Sequence, residues 1–353
     1  MEDAKSEGQC QLIEKVLNKG ICVTCGACVG LCPYFDYYEG RVVVMDRCDS
    51  DTWRCLQLCP RADYEETSLD RVISNEVHTT RIGSFKKTLI ARSKAERIRE
   101  RAQYGGIVSA LLIYALDKGL IKSAVLTDRG NGMSPAGMLA RNESAVLNCG
   151  GSRYTASGSL AVLNRAIRQK EEKLAMVGLP CQMEALARMS LLKPDGEERS
   201  GPISVKIGLF CTWALDFRQL SEYLKSIGMV KPIEKYDIPP PPSQEFQILA
   251  EEGWKTFPLE DIRACIQKGC TLCQDMTAEW ADISVGTVEG LEGWNTVVVR
   301  SNTGSDLISA AIEDDILEVD SLPEENLEHL NEASSNKRER AVKYKEEMRQ
   351  KES

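Results

Sequence analysis

The chain has 353 residues, and its 44 Lys or Arg residues against 53 Asp or Glu residues give a formal net charge of −9. This acidic balance argues against nucleic acid as a partner. The 14 cysteines are clustered and too few for a disulfide scaffold, the N-terminus is polar, and no apolar run is long enough to cross a bilayer. We therefore expect a cytoplasmic redox protein without membrane insertion.

Four closely spaced cysteines follow a short helix predicted over residues 8–19. The sequence CVTCGACVGLCP has the C-x2-C-x2-C-x3-C-P spacing of bacterial ferredoxins, with Cys22, Cys25, Cys28 and Cys32. In that pattern the first three thiolates bind one 4Fe-4S cubane, and the fourth binds the other cluster of a pair. A zinc site is the alternative, but zinc sites usually pair two C-x2-C units across a longer gap. The spacing favours an iron-sulfur cluster.

A second, incomplete half of this motif follows, in which a regular run would carry a further cysteine near Thr52. If the two halves exchange ligands, one 4Fe-4S cluster is complete and three cysteines remain for a second cluster. The first would use Cys22, Cys25, Cys28 and Cys59, and the second Cys32, Cys48 and Cys55. The second site could hold a 3Fe-4S cluster, could recruit Asp49, Asp51, Cys10 or water for a 4Fe-4S cluster, or could be empty.

From residue 85 onward the sequence alternates between strands and helices. Strands are predicted at 87–93, 123–127, 173–178 and 203–211, and helices at 104–119, 157–170, 181–189 and 216–227. This alternation is typical of right-handed β-α-β units, so we predict an α/β fold with a mostly parallel sheet behind an N-terminal α+β, ferredoxin-like module. The rest of the chain is predicted to contain a proline-rich linker at 238–243, a hairpin at 245–259 and strands at 281–288 and 294–300. It ends in a charged helix that we expect to be solvated.

The predicted organisation has four parts. Residues 1–75 form the iron-sulfur module, 76–160 and 161–334 the two parts of the α/β region, and 335–353 the charged helical tail. The α/β region carries a second group of cysteines, in which Cys181 and Cys211 follow predicted strands and Cys270 and Cys273 form a C-x2-C pair. Open α/β sheets bind ligands at the carboxyl ends of their strands. Four thiolates suit either zinc or an iron-sulfur cluster.

Five collinear segments of the α/β region carry a resemblance to a known family: YGGIVSALLIYALDKGLIKSAV, GGSRYTASGSL, VGLPCQMEAL, GLFC and CTLCQDMTAEWADISVG. Over about residues 80 to 300 the chain resembles the beta subunits of coenzyme F420-reducing hydrogenases and F420-dependent formate dehydrogenases. The resemblance implies FAD, a 4Fe-4S cluster on Cys181, Cys211, Cys270 and Cys273, and often an N-terminal ferredoxin module. It also implies flavin-binding residues at Gly105, Gly106, Ser109, Gly151, Ser152, Arg153, Tyr154 and Gly178. The chain departs from the family pattern after Cys211, where Thr-Trp-Ala stands in place of smaller residues.

Elementary chemistry is consistent with these implied roles. A Gly-Gly pair before a helix lets backbone N–H groups face a pyrophosphate, Arg153 can fork onto a phosphate, and Tyr154 can stack on a ring. Taken alone, the glycines could equally mark an ordinary helix start, and Arg153 a surface ion pair. The chain has no G-x-G-x-x-G and no Walker motif, so a Rossmann nucleotide site and an ATPase gain no support.

A flavin can accept a hydride and release single electrons, which is why it belongs between a hydride donor and iron-sulfur clusters. We therefore expect electron transfer between coenzyme F420, as the substrate, and a partner. The expected partner is ferredoxin or a subunit of hydrogenase, formate dehydrogenase or heterodisulfide-reductase type. The alternatives are a ferredoxin-dependent reductase of an organic substrate, as in the chlorophyll pathway, and an electron-transfer subunit without flavin.

Overall fold

An eight-stranded mixed sheet forms the centre of the protein in the computed structural model, which describes residues 7–48, 53–62, 81–128, 135–193, 199–229, 233–239 and 243–352. The described strands are β1 (Phe35–Tyr38), β2 (Arg41–Val44), β3 (Lys87–Ser93), β4 (Ser123–Asp128), β5 (Ala136–Ala140), β6 (Leu174–Gly178), β7 (Ile203–Leu209), β8 (Lys235–Asp237), β9 (Glu245–Ala250), β10 (Gly253–Pro258), β11 (Ile283–Thr287), β12 (Asn295–Val299) and β13 (Leu317–Asp320).

Helices cover both faces of this sheet. The described helices are α1 (Glu7–Leu12), which continues as a π-helical turn at Ile13–Leu17, α2 (Arg54–Gln57), α3 (Glu96–Arg101), α4 (Ile107–Asp117), α5 (Glu143–Asn148), α6 (Ser159–Arg168), α7 (Pro180–Leu192), α8 (Phe217–Ser226), α9 (Leu259–Arg263), a 3-10 turn at Lys268–Leu272, α10 (Asn302–Glu313) and α11 (Glu324–Glu352). The local sequence explains where several of these helices begin. The side chain of Asp216 caps α8, that of Ser301 caps α10, and Pro180 is the first residue of α7.

The large sheet has the order β13-β3-β12-β11-β7-β6-β4-β5. Its four central strands, β11, β7, β6 and β4, are parallel, as the alternating pattern predicted, whereas β5, β12, β3 and β13 pair antiparallel. The predicted mostly parallel sheet is therefore parallel at its centre and antiparallel on both flanks. Between β11 and β12 the connection is too short for a crossover helix, which takes a dozen or more residues, so these two strands form a hairpin. The predicted hairpin at 245–259 is present as β9 and β10, and β8 joins it in a separate small sheet.

The N-terminal segment packs into the core of the α/β region. Val23, Cys25 and Ala27 belong to the same buried apolar cluster as Leu160 and Met176. This cluster spans the predicted boundaries at 75/76 and 160/161. The N-terminal cysteine motif therefore lies against α6 and β6 within one continuous core.

Two close approaches fix this packing. A Cβ built on Gly26 would lie 2.6 Å from the carbonyl oxygen of Gly158, and one on Gly269 would lie 2.0 Å from that of Ile21. Gly26 also has a φ of +85°, in the region that favours glycine. The buried amide of Asn164 donates to the carbonyls of Ala27 at 2.9 Å and Val29 at 2.8 Å. The motif loop is thus held by hydrogen bonds as well as by apolar contact.

Asn164→Leu is expected to destabilise this packing. The change removes the donor from two carbonyls, and a buried group left without its partner costs about 1–3 kcal/mol. Denaturant unfolding should show a lower midpoint than that of the parent protein. Asn148→Leu, at the exposed end of α5, is the matched control and should change stability by less than about 0.5 kcal/mol. Equal midpoints for the two variants would contradict the role given to Asn164.

The charged C-terminal helix α11 is packed along one face, which corrects the expectation of a solvated tail. It begins at Glu324, before the predicted boundary at 335, and Ser334, Lys337 and Ala341 are buried. Arg338 donates to Glu279 at 2.7 Å. No described helix combines the length and apolar character needed to cross a membrane.

Candidate functional site

Four cysteines, of which Cys25 is buried and the others are half-buried, lie where the two halves of the ferredoxin-type motif meet; we call Cys22, Cys25, Cys28 and Cys59 the first set. Burial, and then the charge of Cys59, raises the pKa of Cys22 to about 12. Burial raises the pKa of Cys28 well above its usual value, and the charges of Cys22, Cys25 and Cys59 add to the effect. The backbone N–H of Thr24 donates to the sulfur of Cys22 at 3.4 Å. The structure therefore brings together the cysteines predicted for one cluster.

Three further cysteines, the second set, lie beside the first: Cys32, Cys48 and Cys55. Burial raises the pKa of Cys55 to about 12, and the nearby charges of Cys32 and Cys48 contribute. The possible fourth ligands Asp49 and Asp51 lie outside the described residues. Cys10 follows Gln9, whose side-chain oxygen accepts from the backbone N–H of Cys48 at 2.8 Å, so α1 runs beside this set.

The inner set consists of Cys181, Cys211, Cys270 and Cys273. Parallel strands β6 and β7 end side by side, with Gly178 opposite Gly208, and Cys181 and Cys211 follow those ends. Burial raises the pKa of Cys211 to about 12. The nearby charge of Lys337 opposes this rise, whereas the charges of Cys270 and Cys273 add to it. The backbone N–H of Ala214 donates to the sulfur of Cys270 at 3.4 Å.

Zinc ions and iron-sulfur clusters require different arrangements of their thiolate ligands. Within the described ranges, no group of three or more His, Cys, Asp or Glu side chains is arranged to hold a metal ion. A structural zinc ion needs four ligands at about 2.0–2.3 Å from one centre. A cubane binds each thiolate to a different iron atom, which requires a wider arrangement. Backbone N–H groups that donate to cysteine sulfur are one means by which proteins tune such clusters.

The three sets lie in series. Burial is the main cause of the raised pKa of Cys181, and the second largest cause is the charge of Cys25 in the first set. At the other side of the first set, the charge of Cys55 contributes to the raised pKa of Cys28. Cys25 also packs in one apolar cluster with Cys181 and Cys270, and Cys22, Cys28 and Cys59 pack in another with Cys32 and Cys55, so the first set adjoins both of the others.

A cavity of about 440 Å³ adjoins the inner set, because Cys211 forms part of its wall. It lies within the size range of small-molecule sites. Seven of the eight residues that the resemblance implied for flavin binding line it: Gly106, Ser109, Gly151, Ser152, Arg153, Tyr154 and Gly178. Gly105 does not line the cavity; a Cβ there would lie 2.8 Å from the side-chain oxygen of Asn295, so its role is close packing.

The polar groups of the cavity differ in part from those expected. Gly106, with a φ of +75°, precedes α4, whose first-turn N–H groups have no acceptor within the helix. Arg153 donates to the carbonyls of Ser152 at 3.0 Å and Gly150 at 3.2 Å, so part of its fork is used within its own loop. The hydroxyl of Tyr154 accepts from the backbone N–H of Ile238 at 3.0 Å, which holds its ring at the cavity wall.

Other residues of the cavity were not predicted from the sequence. Gln182 donates to the carbonyl of Ser157 at 2.9 Å and to the Ser159 hydroxyl at 2.7 Å, and it lies within the VGLPCQ segment. Helix α11 contributes Asn326, His329, Leu330 and Ala333. No local signal in the charged C-terminal sequence identifies these four residues. The unusual Thr212-Trp213-Ala214 segment also lies in the wall, directly after Cys211.

Two adjoining family models match the chain. "Coenzyme F420 hydrogenase/dehydrogenase, beta subunit N-term" matches residues 88–164, and the C-terminal model of the same subunit matches 171–325. The coenzyme F420 hydrogenase subunit beta of Methanothermobacter thermautotrophicus is 31% identical over 74% of this chain and 94% of its own length. The chain belongs to the coenzyme F420 hydrogenase/dehydrogenase beta-subunit family. Membership makes it an oxidoreductase of the F420-linked electron-transfer class.

Two further relatives support this assignment. A subunit of the F420H2 dehydrogenase of Methanosarcina mazei is 28% identical over 83% of this chain and 82% of its own length. A chain of the F420-reducing [NiFe] hydrogenase complex from Methanosarcina barkeri has the same fold, with a TM-score of 0.70 and 27% identity over 76% of this chain and 93% of that chain. These relatives belong to multi-subunit redox complexes, which supports redox partner subunits for this chain.

Proposed function

We propose that this protein carries electrons between coenzyme F420 and a redox partner, through FAD in the cavity and iron-sulfur clusters on its cysteine sets. The observation that carries the proposal is the serial arrangement of the site. Cys211 of the inner set forms part of the cavity wall, Cys181 of that set lies near Cys25, and Cys28 lies near Cys55. The N-terminal segment would then form the ferredoxin-like module that delivers electrons to the partner.

The residues of the cavity fit a flavin dinucleotide. The start of α4 offers N–H groups without intrahelical acceptors, beside Gly151 and Ser152, and such a helix start favours a pyrophosphate. Tyr154 and Trp213 provide aromatic surface in the same wall. FAD when bound would supply the exchange between a hydride and single electrons. The cavity residues would hold the donor ring in place and exclude water.

The cysteine sets fit iron-sulfur clusters. The first and inner sets each provide four thiols, and backbone N–H groups already donate to the sulfurs of Cys22 and Cys270. The second set provides three cysteines, which suits a 3Fe-4S cluster or a 4Fe-4S cluster with another ligand. Burial of the thiols disfavours free thiolates, and metal binding would replace their protons.

The names of the relatives favour F420 as substrate and a hydrogenase or dehydrogenase complex as partner. Ferredoxin and subunits of formate dehydrogenase or heterodisulfide-reductase type could accept electrons from the same module. A ferredoxin-dependent reductase of an organic substrate would use the same cofactors, whereas a flavin-free electron-transfer subunit would leave the cavity to another ligand.

The test is anaerobic purification followed by cofactor extraction and mixing with reduced F420. We expect FAD, iron and acid-labile sulfide in the protein, and oxidation of reduced F420 with loss of flavin absorbance. Iron-sulfur clusters without any flavin would support the electron-transfer subunit instead. If mixing with reduced F420 leaves the flavin oxidised, whereas mixing with reduced ferredoxin bleaches it, the result would support the reductase of an organic substrate.

A further inference from the structure

Arg61 joins the loops that carry the first and inner cysteine sets. Its side chain is 5% exposed. One nitrogen donates to the carbonyl of Pro60, directly after Cys59, at 2.5 Å, and another donates to the carbonyl of Gly269, directly before Cys270, at 2.8 Å. The guanidinium therefore lies between a loop of each set.

The charge of Arg61 is only partly compensated by its surroundings. Glu184 lies 3.7 Å from it but is held more closely by Arg188, at 2.8 Å. One carboxylate is thus shared by two guanidinium groups, which leaves net positive charge at a buried junction. Arg61 interacts electrostatically with cysteines on both sides: with Cys22, Cys25 and Cys59 of the first set, and with Cys181, Cys270 and Cys273 of the inner set.

We propose that Arg61 is a shared counter-ion of the first and inner sets, a positioning residue that raises the reduction potentials of both clusters together. The inference rests on the proposed function in one respect, that both sets hold iron-sulfur clusters. Adding an electron makes a cluster more negative, and a fixed positive charge in a buried site stabilises that state. Because one charge acts on both clusters, the difference between their potentials changes little. Electrons can then cross the junction in either direction.

The other buried or half-buried cations near these sets provide matched controls. Arg188 interacts with Cys59 of the first set. Lys337 donates to the carbonyls of Cys211 at 2.6 Å and Asp275 at 2.7 Å, so it lies beside the inner set. Lys337 should therefore affect mainly the inner cluster and Arg188 the first cluster more than the inner one, whereas Arg61 should affect both.

The experiment is a redox titration of the holoprotein, followed by electron paramagnetic resonance, for Arg61→Gln, Arg188→Gln and Lys337→Gln. Arg61→Gln should shift both potentials to more negative values. Lys337→Gln should shift mainly the inner cluster, whereas Arg188→Gln, which also frees Glu184 to offset Arg61, should shift the first cluster more than the inner one. Arg61→Lys keeps the charge and should restore most of both shifts. If Arg61→Gln keeps its clusters with unchanged potentials, or shifts only one of them, the inference is wrong.

Glu184→Gln provides an independent test if Arg61→Gln loses its clusters. This change removes the shared carboxylate and leaves Arg61 in place, so it should shift both potentials to more positive values. Unchanged potentials in this variant, or a shift confined to the first cluster, would overturn the inference. If the parent protein itself contains no clusters, the proposed function fails, and that outcome is distinct from either of these.

Discussion

Cys273→Ser is expected to leave the flavin in the cavity reducible by reduced F420 and to block electron delivery to the N-terminal cysteine sets. The inner set is the one that adjoins the cavity, and Cys273 is a buried member of it. Serine binds iron less well than a thiolate does. Loss of a residue that only supports a metal ligand lowers metal affinity or activity about 10–100-fold. Loss of the ligand itself should therefore slow electron delivery by at least about 100-fold. Rapid mixing with reduced F420 would separate flavin bleaching from cluster reduction.

Cys265→Ser is the matched control for this variant. Cys265 is also buried and lies five residues before Cys270, but it packs with Leu215 and Ile262 in the apolar cluster around the small sheet. Its replacement should leave delivery at the parental rate. A Cys273→Ser protein that reduces its N-terminal sets at that rate would contradict the proposed path.

Gly106→Val is expected to remove most of the bound flavin while leaving the cysteine sets loaded. Gly106 has a φ of +75° at the start of α4, a backbone conformation that is a genuine outlier for a β-branched residue. A Cβ there would also lie 3.0 Å from a methyl carbon of Ile98. The first turn of α4 should therefore shift at the cavity wall. Flavin and iron content of the purified variant measure the two parts of the prediction.

Gly119→Val separates backbone strain from the effect on the cavity. Gly119 follows the other end of α4, has a φ of +64°, and has open space around its Cβ position. Both variants carry the strain of a non-glycine residue in this region, about 1–3 kcal/mol, but only Gly106 lines the cavity. The same loss of flavin in both variants would mean that Gly106 serves the fold alone.

The sequence predicted the features whose signals are local. Cysteine spacing grouped the first and second sets because the ferredoxin motif fixes its ligands over a few residues. Strand β3 has the predicted bounds, and the central strands β4, β6 and β7 follow closely, because buried strands form continuous apolar runs. Which cofactors these residues hold stays a prediction.

Other features depend on contacts between distant segments. The antiparallel flanks arise from strand pairing, as in β13 with β3, which the alternation of elements does not determine. The buried face of α11 consists of Ser334, Lys337 and Ala341, which carry no hydrophobic periodicity, so the charged sequence indicated solvent exposure. Because Lys337 and Arg61 meet the cysteine sets through contacts between distant segments, the sequence could not place them there.

The central claim is that electrons enter at the cavity and pass through the inner set to the N-terminal sets. The measurement that tests it most directly is single-turnover reduction of the anaerobic parent protein by reduced F420, with freeze-quenched samples examined by electron paramagnetic resonance. The account predicts that flavin absorbance falls first, that the inner-set signal appears next, and that the signals of the first and second sets follow. Reduction of the N-terminal sets before the inner set, or no oxidation of reduced F420, would contradict it.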